Sequence, residues 1–129
     1  MIARTLLAAL LLLGASIPIG SAQAADKATL TEGRKATKIC LTCHHFKKPR
    51  RKFGPHLVGL LGRPVGTAAD YQYSKALKAL GGEWDEERLF QFLMNPAEYA
   101  PGNAMKFRGF RDEDKTRAAI AYLKARFYK

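Results

Sequence analysis

Both cysteines of this 129-residue chain stand in one heptapeptide, Ile39-Cys40-Leu41-Thr42-Cys43-His44-His45. Two residues separate the thiols and a histidine follows the second, so whatever the pair holds is gripped from a single turn of backbone. The surroundings sharpen that constraint. Apolar periodicity predicts four helical stretches and few alternating strand patterns. The first begins near Thr29, where Thr29-Leu30-Thr31-Glu32 fits a capping box, and runs toward Cys40. A short one starts at Ser74 and is stopped by Gly81-Gly82. The third starts at Asp85, carries Glu86 and Glu87 in its positive first turn, lines up Leu89, Phe92 and Leu93, and ends before Pro96. The last, from about Asp112, sets Ile120, Leu123 and Phe127 in a stripe. Between them lie glycine- and proline-rich connections, residues 45–70 and 95–111. Connections of that length are unusual in so small a domain unless they wrap around something that is not protein.

The N-terminal stretch is not counted as fold. Arg4 precedes an apolar run from Leu6 to Leu13, and the small residues that follow include Ala22-Gln23-Ala24, which fits a cleavage site. Residues 1–24 therefore read as a secretory signal peptide and 25–129 as one domain. An uncleaved anchor is the rival, but Pro18 and Gly20 interrupt an apolar core already short for a span. The chain carries 22 Lys+Arg against 11 Asp+Glu, a net charge of +11. Such a charge favours acidic-surfaced partners. Export and the lack of any helix-turn-helix, zinc-finger or RNA-binding pattern argue against nucleic acid.

Three chemistries use the cysteine spacing. A redox dithiol fits export, but its motif normally opens a helix beside a sheet. A zinc site needs four ligands, and His44, His45 and His56 are the only histidines present to complete one. The third is c-type haem attachment, of which Cys-x-x-Cys-His is the signature. Each thiol adds across one porphyrin vinyl group, and the adjoining histidine is held under the iron. A bare disulfide over so short a loop would be strained and would leave His44 unexplained.

If iron is bound, its other face needs a ligand. Of three methionines, Met1 belongs to the leader and Met94 fits the end of a helix. Met105 lies in the irregular stretch around Pro96, Pro101 and Gly102, too polar and broken for a core element. A thioether there favours ferrous iron, and His/Met ligation raises the reduction potential.

Taken together, the motifs resemble those of the class I, mitochondrial-type cytochromes c and their bacterial periplasmic counterparts. The likeness runs from about Gly33 to Leu123. It takes in Cys40-Leu41-Thr42-Cys43-His44, Gly54-Pro55-His56-Leu57 with Gly62-Arg63, and Tyr71-Gln72-Tyr73-Ser74. Trp84, Asn95-Pro96 through Tyr99, Pro101-Gly102, Met105-Lys106-Phe107 and Ala121-Tyr122-Leu123-Lys124 complete it. The resemblance implies an all-α fold of short helices and long loops around one covalently bound haem c. It implies thioethers at Cys40 and Cys43, and His44 and Met105 as the iron ligands. It further implies the Pro55 carbonyl as acceptor for the His44 ring, Arg63, Tyr73 and Trp84 as donors to a buried propionate, and Phe107 as cover for the haem edge. Gly33 would let the first and last helices cross near Tyr122. Phe92 and Leu77 depart from the family's usual tyrosine and asparagine, which removes two polar groups and alters a still positive potential.

With both axial positions filled, no site on the iron is open to substrate, so the expectation is electron transfer rather than an enzyme. The carrier would be a soluble periplasmic monomer, fed by a quinol-oxidising complex and drained by a terminal oxidase or reaction centre. Lys47, Lys48, Arg50, Arg51 and Lys52, with Lys106, Arg108 and Arg111, would ring the haem edge and steer acidic partners. The alternative is an open distal face and a peroxidase-like enzyme or gas sensor. His45 and His56 receive no role.

Overall fold

In a computed structural model the described residues are 25–127; the leader assigned to residues 1–24 lies outside them. Helix α1, Lys27–Ala36, is capped three residues before the Thr29 box expected from the sequence. Asp26 is the cap, its carboxylate accepting from the Thr29 amide at 2.7 Å, so Thr29 sits inside the first turn. The helix stops short of Cys40. Thr37 caps it, and a separate 3-10 turn, Ile39–Thr42, carries the first cysteine.

Helix α2, Lys75–Ala79, has the Ser74 cap, its hydroxyl accepting from Leu77 at 3.2 Å. Helix α3, Glu86–Met94, has the Asp85 cap, accepting from Arg88 at 2.7 Å. Pro96 does end α3, but it also starts α4, Pro96–Tyr99, in the first-turn position where a missing N–H costs nothing. Helix α5, Glu113–Phe127, is capped by Asp112 through the Lys115 amide at 2.8 Å. Among the described residues no strand forms; the one extended pairing is an isolated bridge between Pro64 and Glu83. No helix among them is long and apolar enough to cross a membrane.

Two packing arrangements position the rest. Helix α1 crosses α5 at Gly33, so closely that a Cβ there would lie 2.0 Å from the Ala118 carbonyl oxygen and 2.6 Å from Tyr122 Cβ. The buried face of α5 is accordingly made of small residues as well as large: Thr116, Ala118 and Ala119 beside Ile120 and Leu123. Separately, Leu60, Val65, Trp84, Leu89, Phe92, Ala100 and Ile120 form the main core, drawing the long 59–84 connection against α3 and α5. Phe92 spends its ring on this core, 5.2 Å from Trp84 and 6.1 Å from Tyr99.

Arg88 closes the connection. Its guanidinium donates to the carbonyls of Leu80, Gly81 and Glu83 and, through Nε, to the Tyr99 hydroxyl at 3.2 Å. One side chain thereby satisfies the carbonyls of the turn that follows α2.

Candidate functional site

The cysteine turn and the loop behind it are laced by backbone bonds. Gly54 N–H donates to the Cys43 carbonyl and Leu57 N–H to the His45 carbonyl, each at 2.8 Å. This folds residues 54–57 back across the motif and brings the Pro55 carbonyl to 2.6 Å from His44 Nδ1. A carbonyl only accepts, so Nδ1 carries the proton and Nε2 is the nitrogen left with a free lone pair. Gly54 makes room for the ring: a Cβ there would lie 2.6 Å from His44 Cε1 and 2.9 Å from Nδ1. Burial holds the His44 pKa below the usual imidazole value; the Pro55 bond pulls it back up, and the Arg63 charge depresses it further. The imidazole is therefore kept neutral, the form that ligates metals.

The two thiols are unbridged, Cys40 half-buried and Cys43 exposed. Burial pushes the Cys40 thiol up to about 11. Reactive dithiols need the opposite shift, and no sheet lies beside this turn. Among the described residues no group of three or more His, Cys, Asp or Glu side chains is placed to hold a metal ion, so the four-ligand zinc reading finds no ligand set.

Arg63 and Trp84 are neighbours along the backbone, with Tyr73 near enough to feel the Arg63 charge. The backbones of residues 62–63 and 84 pair through Trp84 N–H to Arg63 O at 3.0 Å and Gly62 N–H to Trp84 O at 2.7 Å. Tyr73 is buried, which raises its phenol pKa, and the nearby Arg63 charge lowers it again. Arg63 itself is anchored on the carbonyls of Val58 at 3.1 Å and His56 at 3.0 Å, with the His56 ring at 3.4 Å. His56, without a role in the sequence reading, thus holds the arginine in place.

Met105 packs against the Trp84 core, half-buried. Its loop is pinned by Asn103, a residue the sequence reading passed over. The Asn103 amide donates to Pro96 O at 2.8 Å and Ala100 O at 3.0 Å, and its oxygen accepts from Met105 N–H at 2.9 Å. Phe107 lies apart from that core. It meets Phe110 edge-on at 5.0 Å and lines a groove beside Ile39 and Thr42 of the cysteine turn. Phe46, another residue missed, is buried against Phe127 at 5.1 Å and moors the chain just after His44 to α5.

These residues fit a covalently held haem. The thiols are free, one imidazole nitrogen is free, and the buried Trp84 finds no partner for its indole N–H among the described residues. Half-buried leucines 57, 61, 77, 80 and 93 stand with Met105 along the core, apolar surface that a porphyrin would cover.

The comparisons with known proteins agree with this geometry. No protein-family model matches the chain. A cytochrome c homolog of Rickettsia bellii is 42% identical over 111 residues, 85% of this chain. This chain spans 64% of that protein's length, less than two thirds. Cytochrome c of Chlamydomonas reinhardtii is 44% identical over 74% of this chain and 87% of its own. That of Guizotia abyssinica is 39% identical over 86% of this chain and 95% of its own. Among solved structures, cytochrome cH from Methylobacterium extorquens matches with a TM-score of 0.69 at 40% identity, over 75% of this chain and 98% of that one. A Cys-x-x-Cys-His turn backed by a carbonyl on its imidazole, in an all-helical frame shared with these relatives, has one family explanation: the chain belongs to the class I cytochromes c.

Proposed function

We propose that the protein is a periplasmic carrier of single electrons, with one haem c attached through thioethers at Cys40 and Cys43. The observation that carries this reading is the 2.6 Å bond from His44 Nδ1 to Pro55 O, which leaves Nε2 as the one nitrogen free to ligate. The haem supplies an iron that alternates between ferrous and ferric states. The protein's part is to keep its own atoms still while the charge changes. His44 is held by Pro55 and Gly54, and the Asn103 clamp fixes the loop of Met105; these two side chains would hold the iron. Arg63, Tyr73 and Trp84 would donate to a buried propionate, and Phe107, in the groove beside the cysteine turn, would shield the haem edge. With His44 and Met105 both given to the iron, no position on it would be open to a substrate, and the reading is carriage rather than catalysis by a monomer that diffuses between larger complexes.

The partners in this reading are acidic-surfaced redox proteins, a quinol-oxidising complex as donor and a terminal oxidase or reaction centre as acceptor. Two basic segments flank the cysteine turn. Lys52 Nζ donates to Leu41 O at 2.8 Å, which brings the 47–52 loop alongside, and the 107–110 segment lines the groove beside Ile39. Neutralising Lys47, Lys48, Arg50 and Arg51 together should slow association with an acidic partner about tenfold or more at low salt. It should also flatten the salt dependence of the rate; persistence of the full dependence would remove the loop from the docking face.

The test of the reading is a redox-titrated visible spectrum of the haem-loaded protein. A low-spin reduced spectrum with a positive midpoint, resistant to carbon monoxide, is expected. Carbon monoxide binding would take Met105 off the iron and move the protein to ligand sensing or peroxidase-like chemistry. A colourless product would overturn haem attachment altogether. Asn103→Ala should leave the fold intact but free the Met105 loop, so that carbon monoxide binds and the methionine-to-iron charge-transfer absorption fades. A variant indistinguishable from the parent in both would show that the clamp is dispensable.

A further inference from the structure

Phe53 is 80% exposed, the most exposed of the large apolar side chains among the described residues. Lys52, just before it, donates its amine to Leu41 O, and Gly54, just after it, donates its N–H to Cys43 O, both at 2.8 Å. The aromatic residue is therefore held beside the cysteine turn, whose Ile39 and Leu41 are themselves 52% and 47% exposed. Lys47, Lys48, Arg50, Arg51 and Lys52, on the loop leading to Phe53, and Lys38, next to Ile39, border this apolar area. Among the described residues the ion pairs are Lys35–Glu32 and Lys124–Glu86, so none of those bordering charges is neutralised by one. The Asp70 carboxylate accepts from the Arg51 backbone N–H and is one negative charge against the five basic residues of the 47–52 loop.

An exposed aromatic anchor inside a net-positive rim is the pattern by which a few interface residues carry most of a complex's affinity. From this arrangement we infer that Phe53 is the anchor of the docking surface: it inserts into an apolar pocket of a redox protein whose pocket is rimmed by carboxylates. The two arginines of the loop favour carboxylate partners, which they bind in bidentate fashion. Location selects a protein over a lipid surface. Phe53 adjoins Gly54, which abuts the His44 ring, so a partner seated on Phe53 is seated at the redox motif. The basic loop sets how fast the partner arrives, and Phe53 sets how long it stays. This inference rests on the electron-carrier reading.

The experiment uses the full haem-loaded protein and a purified terminal oxidase that accepts electrons from class I cytochromes c. Spectrum and midpoint potential are recorded first; loss of the haem spectrum in the parent would overturn the carrier reading and this inference with it. Phe53→Ala, at an exposed site, should keep the parental spectrum and midpoint while raising KM for the oxidase about tenfold or more. The salt slope of association should stay as in the parent, and Phe53→Tyr should restore most of the affinity. An unchanged KM in a spectrally normal protein overturns the inference alone. So does an unchanged KM accompanied by weaker co-sedimentation with phosphatidylglycerol vesicles, which would assign Phe53 to a membrane surface. A flattened salt slope in Phe53→Ala also overturns it, since the side chain would then be acting through its charged neighbours.

Discussion

Replacing Gly33 by alanine is expected to lower the unfolding temperature by about 10 °C or more, through overpacking worth about 3 kcal/mol. The sign makes this informative. In an exposed helix the same exchange stabilises by about 0.5–1 kcal/mol, because glycine is the poorer helix former. Here the added methyl meets the Ala118 carbonyl oxygen at 2.0 Å and Tyr122 Cβ at 2.6 Å. Neither obstacle is a flexible side-chain tip. Trimming Tyr122 to alanine leaves its Cβ in place, so α1 and α5 must separate, exposing Ala36 and Ala118, which the crossing buries. Thermal unfolding followed by helical circular dichroism gives the answer. A rise in melting temperature would mean that the helices do not cross at Gly33.

That crossing shows where sequence reasoning reaches and where it stops. Ser74 and Asp85 were legible as caps because capping is local: a short polar side chain and an amide three residues on. The start of α1 misled for the same reason. Thr29-Leu30-Thr31-Glu32 satisfies the capping-box pattern, but Asp26 reaches the Thr29 amide first. Pro96 was legible as a stop and not as a start, since one residue both ends α3 and occupies the first turn of α4. The small buried face of α5 was not legible. Thr116, Ala118 and Ala119 carry too little apolar area to register as a stripe, and their burial follows from the depth of the Gly33 approach.

The site divides similarly. Cys40, Cys43 and His44 announce themselves by spacing, and the resemblance to cytochromes c extends the expectation to Pro55, whose carbonyl does meet the His44 ring. Asn103 and His56 act through hydrogen bonds to backbone groups a few residues away in folded loops, a relation that no periodicity encodes. Phe46 hid at the head of a basic run, where its neighbours suggested solvent rather than a ring packed against Phe127.

Gly54→Ala carries the second large effect, and it falls on the site rather than on the frame. Gly54 is absent from the positions of positive φ, so alanine is allowed there by backbone conformation. The obstacle is the His44 ring, with Cε1 at 2.6 Å and Nδ1 at 2.9 Å from the added carbon. Gly54 cannot retreat easily, because its N–H is bonded to Cys43 O and its carbonyl accepts from Lys52 N–H at 2.9 Å. The ring therefore turns, and its bond to Pro55 O is lost, at a net cost of about 1 kcal/mol in the fold. The larger consequence is functional: without that bond neither the orientation nor the basicity of the free Nε2, the nitrogen proposed to meet the iron, is held. The haem-loaded variant should show a high-spin component and bind carbon monoxide, with a melting temperature depressed far less than in Gly33→Ala. Tracking the His44 ring resonances would identify the cause, as they should shift while those of Trp84, in the other cluster, stay put. A low-spin spectrum identical to the parent would mean that His44 tolerates the methyl, and the argument that Gly54 and Pro55 together aim the imidazole would fall.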